Sequence, residues 1–278
     1  MQAIATVANQ RGQSEQARMR ALVRFNGSAF HSLAVASFLE TAVPLHVERL
    51  ARALASDPDV AIWLEQVWWP RRAELGRRLR EYVEATWPEF DWSAAYHEFH
   101  RGYRPQSGLE GARGGAARAA LGLCATETQV VMLYRAYANS ADDPQLRALA
   151  GAAAVEHAEF FEFFRALFER RRRFERVGFV ATWRTVIAVS RSARDHDVAA
   201  AFRTLGGNWQ GAPIVPVLGY PEFRRRMAQL IRRHAALGPF ERLMFRPWLQ
   251  GAHAVPAPEQ LPEHPDPWLP LAPRAAIA

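Results

Sequence analysis

The stretch that decides the fold is AAAVEHAEFFEFFRALF, residues 152–168, in which apolar residues recur at intervals of three and four. This period predicts an amphipathic helix, and its buried face would run through Ala150, Ala153, His157, Phe161, Phe164 and Phe168. The acidic residues fall on other faces of the helix: Glu156, Glu159 and Glu162. A single imidazole, that of His157, therefore lies in the middle of an apolar stripe, where it is either a hydrogen-bonded core residue or a ligand.

Three other stretches show the same pattern of one ionisable group within an apolar helical face. In a helix predicted over 28–55 the group is Glu40, and Pro44 should kink that helix. In a helix over 58–84 the group is Arg72, and in a third over 116–139 it is Glu127. Because an isolated buried charge is strongly unfavourable, each group must meet a partner or a metal ion, unless the phase of its helix differs and exposes it. The pattern is typical of a four-helix bundle with a functional centre.

The remaining segments complete an all-α organisation in four parts. Residues 1–27 are predicted to form an N-terminal arm, 28–175 the bundle, 176–250 additional helices packed on it, and 251–278 an extended tail with seven of the 18 prolines. The additional helices are expected near 178–191, from Asp197 onward, and over 221–234. In a short helix over 91–103, His97 and His100 lie three apart without a third ligand, which favours a surface position.

The composition is that of a globular protein, with 49% hydrophobic residues in 278. All 35 basic residues are arginine, which excludes Schiff-base chemistry, and the net charge of +7 favours an acidic partner. Nucleic acid is not expected, since aromatic residues are not interleaved with the basic ones. A single cysteine, Cys124, and the lack of a secretory signal or a membrane-spanning apolar run predict a cytoplasmic protein.

Several segments of this chain are similar to the soluble acyl-ACP desaturases of the ferritin-like di-iron superfamily. FLETAVPLH (38–46) resembles the ligand segment of the family's first helix, and TETQVVMLYRAY (126–137) that of the third. AIWLEQVWW (61–69) with LREYV (79–83) resembles the second helix, EFHRGYR (98–104) the short helix after it, and AAAVEHAEFF (152–161) the fourth. The resemblance covers about residues 28–175 and implies a ferritin-like four-helix bundle, commonly in homodimers.

The family also implies an iron pair, held by a Glu-x-x-His motif on the second helix, another on the fourth, and single glutamates on the first and third. Three positions match these ligands: Glu40, Glu127 and His157. Both bridging glutamates are missing, because Ala154 stands three residues before His157 and Arg72 stands at the second-helix position. A shift of one residue there gives Ala73, which is no better as a ligand. Near Glu127 on the same face lie Cys124 and Tyr134. Cys124 is expected to be a buried structural thiol, the alternatives being a reactive thiol or an extra ligand.

The resemblance leads to two hypotheses of function. In the first, the protein is a divergent oxidoreductase with a reduced or rearranged iron site, used for oxidative tailoring of an acyl or related small substrate by desaturation or oxygenation. In the second, it is a metal-free, non-catalytic relative in which Arg72 pairs with Glu40 or Glu127, and which binds an acyl chain, a carrier protein or another protein. An acidic acyl carrier protein would dock on four arginines: Arg171, Arg172, Arg224 and Arg225.

Overall fold

The regular secondary structure of this protein is helical, as predicted. The computed structural model describes residues 18–54, 57–105 and 115–238, and within them the one departure from helices and loops is an isolated β-bridge between Phe90 and Trp209. None of the described helices is long and apolar enough to cross a membrane. The predicted Pro-rich tail lies outside the described residues, as do residues 1–17 of the predicted arm.

A helical stretch over 18–24 precedes the labelled helices. These are α1 (Gly27–Thr41), α2 (Pro44–Ala53), α3 (Pro58–Trp63), a π-helical turn (Leu64–Trp68), α4 (Trp69–Thr86), α5 (Trp92–Gly102), α6 (Gly115–Ser140), α7 (Pro144–Phe174), α8 (Phe179–Arg203) and α9 (Tyr220–His234). Side-chain caps begin three of them. Asn26, Asp91 and Asp143 accept hydrogen bonds from backbone N–H groups of the first turns of α1, α5 and α7, at 3.1, 2.9 and 2.9 Å.

Three predicted boundaries are corrected by the structure. The helix expected over 28–55 is two helices, α1 and α2, because the chain breaks at Ala42 and Val43 and restarts with Pro44 in a first turn that needs no N–H there. The helix expected over 58–84 contains the π-helical turn. The two helices expected after residue 178 are one continuous helix, α8, since neither glycine nor proline interrupts 179–203 and Asp197 does not begin a new helix.

Two antiparallel pairs of helices position the centre of the fold. The helices α6 and α7 are joined by a short turn at Asp143 and pack along most of their lengths, while α1 packs on α4. At the crossing of α1 and α4, a Cβ added to Gly76 would lie 2.8 Å from the backbone nitrogen of Thr41. The two backbones approach this closely only because Gly76 has no side chain, and the approach brings Glu40 opposite Arg72, one turn before Gly76.

The buried apolar residues form two large clusters along these helices. One cluster contains Leu39 and Leu75, and the other contains Val43 and Trp68. Glu40 lies between Leu39 and Val43 in the sequence, and Arg72 lies between Trp68 and Leu75. The ionisable residues therefore form a polar layer where the two apolar clusters meet.

Candidate functional site

Four buried ionisable side chains, one from each of α1, α4, α6 and α7, meet in the middle of the fold. Glu40 is in the last turn of α1, Arg72 in the first turn of α4, and Glu127 and His157 are in the central turns of α6 and α7. Their side chains are at most 7% exposed. These are the residues that the apolar faces of the sequence singled out.

The contacts among them form a closed ring. The Nε of Arg72 donates to Oε2 of Glu40 at 2.6 Å, and Nη1 of Arg72 lies 3.9 Å from Oε1 of Glu127. The Nδ1 of His157 lies 2.6 Å from Oε2 of Glu127, and its Nε2 lies 3.6 Å from Oε1 of Glu40. Because an ionised carboxylate only accepts hydrogen bonds, a hydrogen bond here requires the His157 tautomer with an N–H at Nδ1. Each carboxylate thus lies between the guanidinium and the imidazole.

The cation at the centre is held in its charged form. Burial acts to lower the pKa of Arg72, but the charges of Glu40 and Glu127 outweigh that effect and raise this pKa above its usual value. Without Arg72 the two buried carboxylates would carry a charge of −2, and the guanidinium reduces this to −1.

Aromatic rings enclose the cluster. The guanidinium carbon of Arg72 lies 4.9 Å from the centre of the Trp68 ring, which the π-helical turn places immediately before α4. The Tyr134 ring stacks on His157 with centroids 5.5 Å apart, and Phe160 meets the same imidazole edge-on at 5.5 Å. These contacts fix the orientation of both the guanidinium and the imidazole.

Cys124 lies one turn before Glu127 and is buried, with its Sγ 3.9 Å from the carbonyl oxygen of Phe161. Burial, together with the charge of Glu127, raises the pKa of this thiol to about 12. The thiol is therefore protonated at neutral pH, so Cys124 is neither a nucleophile nor a thiolate ligand in this state.

An iron pair does not fit these residues. The two positions that the resemblance to the desaturases assigns to bridging carboxylates hold Ala154 and Arg72, and the guanidinium contacts the carboxylate of Glu40. Two unit positive charges at about 4 Å repel by about 4 kcal/mol at an effective dielectric near 20, so a metal bound next to Arg72 would be strongly disfavoured. Among the described residues, no group of three or more His, Cys, Asp or Glu side chains is arranged to hold a metal ion.

The four arginines expected to dock a carrier do not form one patch. At the end of α7, Arg171 lies 3.3 Å from Asp57. Its neighbour Arg172 lies 2.9 Å from Glu169. In the first turns of α9, Arg224 is half-buried and Arg225 pairs with Glu222 at 2.5 Å.

The two groups of arginines lie near different parts of α6, and the length of α6 between those parts gives their separation. Glu175, just beyond Arg172, contacts Ala117 near the start of α6, whereas the α9 residues Phe223 and Met227 belong to a cluster that contacts Leu133. These positions are about 24 Å apart along α6. The exposed pair His97 and His100 lies on α5, as expected for surface residues.

Several interactions around the site were missed from the sequence. Arg71, next to Arg72, pairs with Glu156 and Glu159 on α7, at 2.7 Å each, and ties α4 to α7 outside the buried ring. In the sequence, the only sign of this pairing is the spacing of Glu156 and Glu159, three residues apart on the outer face of α7. The face predicted for α7 also needs correction, because Phe160 is fully buried and Phe161 is only partly buried.

Comparisons of this chain with protein-family models, with curated proteins and with solved structures found no match. The resemblance to acyl-ACP desaturases therefore stays a prediction.

Proposed function

We propose that this protein is a metal-independent relative of the soluble acyl-ACP desaturases, built on a ferritin-like four-helix bundle, in which a salt-bridge ring replaces the iron pair. Its role would be to bind an acyl chain or a similar apolar molecule rather than to oxidise one. The observation that carries this proposal is the 2.6 Å ion pair between Arg72 and Glu40 at the centre of the ring.

The ring supports metal independence because Arg72 already places a cation beside both buried carboxylates. Glu40 contacts both Arg72 and His157, and Glu127 contacts the same two residues. A buried charge that lacks a partner costs several kcal/mol, whereas Glu40 pairs with Arg72 at 2.6 Å and Glu127 lies 3.9 Å from the same guanidinium. The bundle assignment is supported by the origin of the four residues, which come from four different helices.

The acyl ligand is supported by the resemblance together with the two apolar clusters on either side of the polar layer. Delivery by an acidic carrier protein and assembly as a homodimer are also proposals that follow from the resemblance. The wide separation of Arg171 and Arg172 from Arg224 and Arg225 means that a carrier would dock on one pair or the other.

A second candidate function is the divergent oxidoreductase with a rearranged metal site. It is favoured by the convergence of three donors, since Nε2 of His157 lies 3.6 Å from Oε1 of Glu40 and Glu127 contacts the same imidazole. Because these three side chains are not arranged to hold a metal ion as they stand, a single iron on Glu40, Glu127 and His157 would require them to rearrange and Arg72 to leave the ring. The two candidates therefore differ in whether the folded protein retains a metal.

The experiment that separates them is metal analysis of the full chain. The protein would be purified from cells grown separately with added iron, manganese and zinc, and its metal content measured by mass spectrometry. The metal-independent proposal expects far less than one metal per chain in every preparation. One metal per chain that is lost in Glu127→Gln would instead support the oxidoreductase, and two adjacent metals would show that the alignment is wrong.

The binding role needs its own test. Titration of the metal-free protein with cis-parinaric acid, a fluorescent fatty acid, should give saturable binding that palmitate displaces. A lack of saturable binding would contradict the proposed role in binding an acyl chain, and the ring would then serve only to stabilise the fold.

A further inference from the structure

Three large apolar side chains are exposed at the turn between α7 and α8. Phe174 is 77% exposed, Phe179 is 82% exposed and Val180 is 68% exposed. The two phenylalanines are the most exposed large apolar side chains among the described residues. They lie five residues apart on the two sides of the turn, since Phe174 ends α7 and Phe179 begins α8.

Positive charge surrounds these rings. Residues 169–184 contain six arginines and two glutamates, which gives the segment a net charge of +4. Asp57 is paired with the first two arginines, Arg170 and Arg171. Farther along, no acidic side chain among the described residues is ion-paired with Arg173, Arg176 or Arg184, and all three are exposed.

The backbone of the turn is a Schellman-type helix end. The N–H of Val177 donates to the carbonyl of Arg172 at 3.1 Å, and Arg176 lies in the left-handed region with φ of 52°. Glycine is the residue that takes this position without strain, because a Cβ is unfavourable there. The chain places an arginine instead, which adds charge to the tip at the expense of local stability.

We propose that this turn, residues 172–184, binds the surface of an anionic lipid bilayer. Exposed aromatic rings next to arginines match the two layers of such a surface, since the rings enter the boundary between headgroups and acyl chains while the guanidinium groups contact phosphates. An acidic surface alone would engage only the arginines, whereas the boundary of an anionic bilayer takes up both the rings and the guanidinium groups. The inference goes beyond the proposed function and rests on residues outside the buried ring.

The test is sedimentation of the full chain with vesicles of phosphatidylcholine alone and of phosphatidylcholine mixed with phosphatidylglycerol. The wild type should bind the anionic vesicles, and binding should weaken as salt is raised. The double variants Phe174→Ser/Phe179→Ser and Arg173→Glu/Arg176→Glu should each bind at least about tenfold more weakly, because one loses the inserted rings and the other the phosphate contacts.

Matched controls lie elsewhere on the surface. Val217→Ser changes an apolar residue that is 69% exposed before α9, and Arg52→Glu reverses an exposed charge on α2, so both should bind like the wild type. Arg176→Gly should unfold at a higher temperature yet bind more weakly by about fivefold, the contribution of one basic residue near an anionic surface. That combination separates a binding role from a structural one.

The proposal is overturned if the wild type fails to bind anionic vesicles, or if the phenylalanine variant binds them as well as the wild type does. It is also overturned if the tip variants abolish self-association or binding to a purified acidic carrier protein while vesicle binding is absent, since the partner would then be a protein. Metal content and fatty-acid binding should be unchanged in these variants, so failure here is distinct from failure of the proposed function.

Discussion

Replacing Arg72 with methionine should destabilise the protein severely. The change keeps much of the side-chain volume against Trp68 but removes the cation that contacts Glu40 at 2.6 Å and lies 3.9 Å from Glu127. Both carboxylates would then remain buried with only His157 to balance them.

The expected magnitude follows from these distances. At an effective dielectric near 20, unit charges 3.9 Å apart attract by about 4 kcal/mol, and the loss of the charge-assisted bond to Glu40 adds to this. Part of the gain is offset in the wild type by the desolvation of the guanidinium. We therefore expect Arg72→Met to lower the free energy of unfolding by about 3–5 kcal/mol, the range for breaking a buried ion pair from one side.

The assay is urea denaturation at pH 8, in which circular dichroism measures the fraction of unfolded protein. Arg71→Met is the matched control, because Arg71 is the adjacent residue and also pairs with two glutamates, but its side chain is 39% exposed. That variant should lose no more than about 1 kcal/mol, since exposed ion pairs are screened by solvent. A similar loss in both variants would refute the special role of the buried cation.

The double variant Arg72→Met/Glu40→Gln sharpens the test. Because it removes both charges of the pair, it should be more stable than Arg72→Met alone by about 1–3 kcal/mol. If Arg72→Met unfolds at the same urea concentration as the wild type, the guanidinium does not stabilise the ring and the reasoning fails.

Three further predictions concern the surroundings of the ring. Gly76→Ala should destabilise by about 1–3 kcal/mol in urea denaturation, because its Cβ would lie 2.8 Å from the nitrogen of Thr41. A Cβ added at Gly151 would meet no atom within 4 Å, so Gly151→Ala should instead stabilise the protein by up to about 1 kcal/mol. If the two glycine variants changed the stability equally, the close approach of α1 and α4 would be contradicted. The pKa of Cys124 is raised to about 12, so its thiol should react with iodoacetamide at pH 8 at least about a thousandfold more slowly in the folded than in the unfolded protein. Mass spectrometry measures the two rates of alkylation, and equal rates would contradict the burial of the thiol. Burial lowers the pKa of His31 below its ordinary 6.5, so between the two values the unfolded chain binds more protons, and stability should fall as pH drops below about 6.5. In His31→Phe, the free energy of unfolding should therefore differ less between pH 8 and pH 5.5 than in the wild type. An unchanged difference would contradict the role of His31 in the pH dependence of stability.

The sequence was sufficient for the all-α class and for the residues of the ring, and the reason is physical. A charged side chain within an apolar helical face has few alternatives to a buried partner, so Glu40, Arg72, Glu127 and His157 could be found one helix at a time. Their pairing could not be found in this way, because it depends on how helices far apart in the sequence pack. The same limit applies to the close approach at Gly76.

Local features that depend on packing were predicted less well. Pro44 marked an interruption, but the sequence did not distinguish a kink from the observed break at Ala42 and Val43. The π-helical turn over Leu64–Trp68 was not predicted, although Pro70, two residues beyond it, lacks the N–H that an α-helix would direct to the carbonyl of Gln66. On α7, Phe160 and Phe161 fit the apolar period equally well, and contact with Trp63, whose ring centre lies 6.0 Å from that of Phe160, is what buries the first.

The exposed turn after α7 was missed for a different reason. From the sequence, Arg171 and Arg172 were predicted only to dock an acidic carrier. Phe174 and Phe179 gave no signal, because apolar residues are ordinarily expected to be buried. Whether a side chain is exposed depends on the folded chain, so only the structure shows that these two rings and the neighbouring arginines lie together on the surface.

The most direct test of the central claim, that the guanidinium of Arg72 takes the place of a metal, is the melting temperature of the wild type and of Arg72→Glu with and without iron(II) or manganese(II). The substitution adds a third carboxylate and removes the repelling cation, so the variant should melt well below the wild type without metal and recover when either ion is added. The wild type should melt at the same temperature in all conditions. A wild type that is stabilised by metal as strongly as the variant would contradict the account.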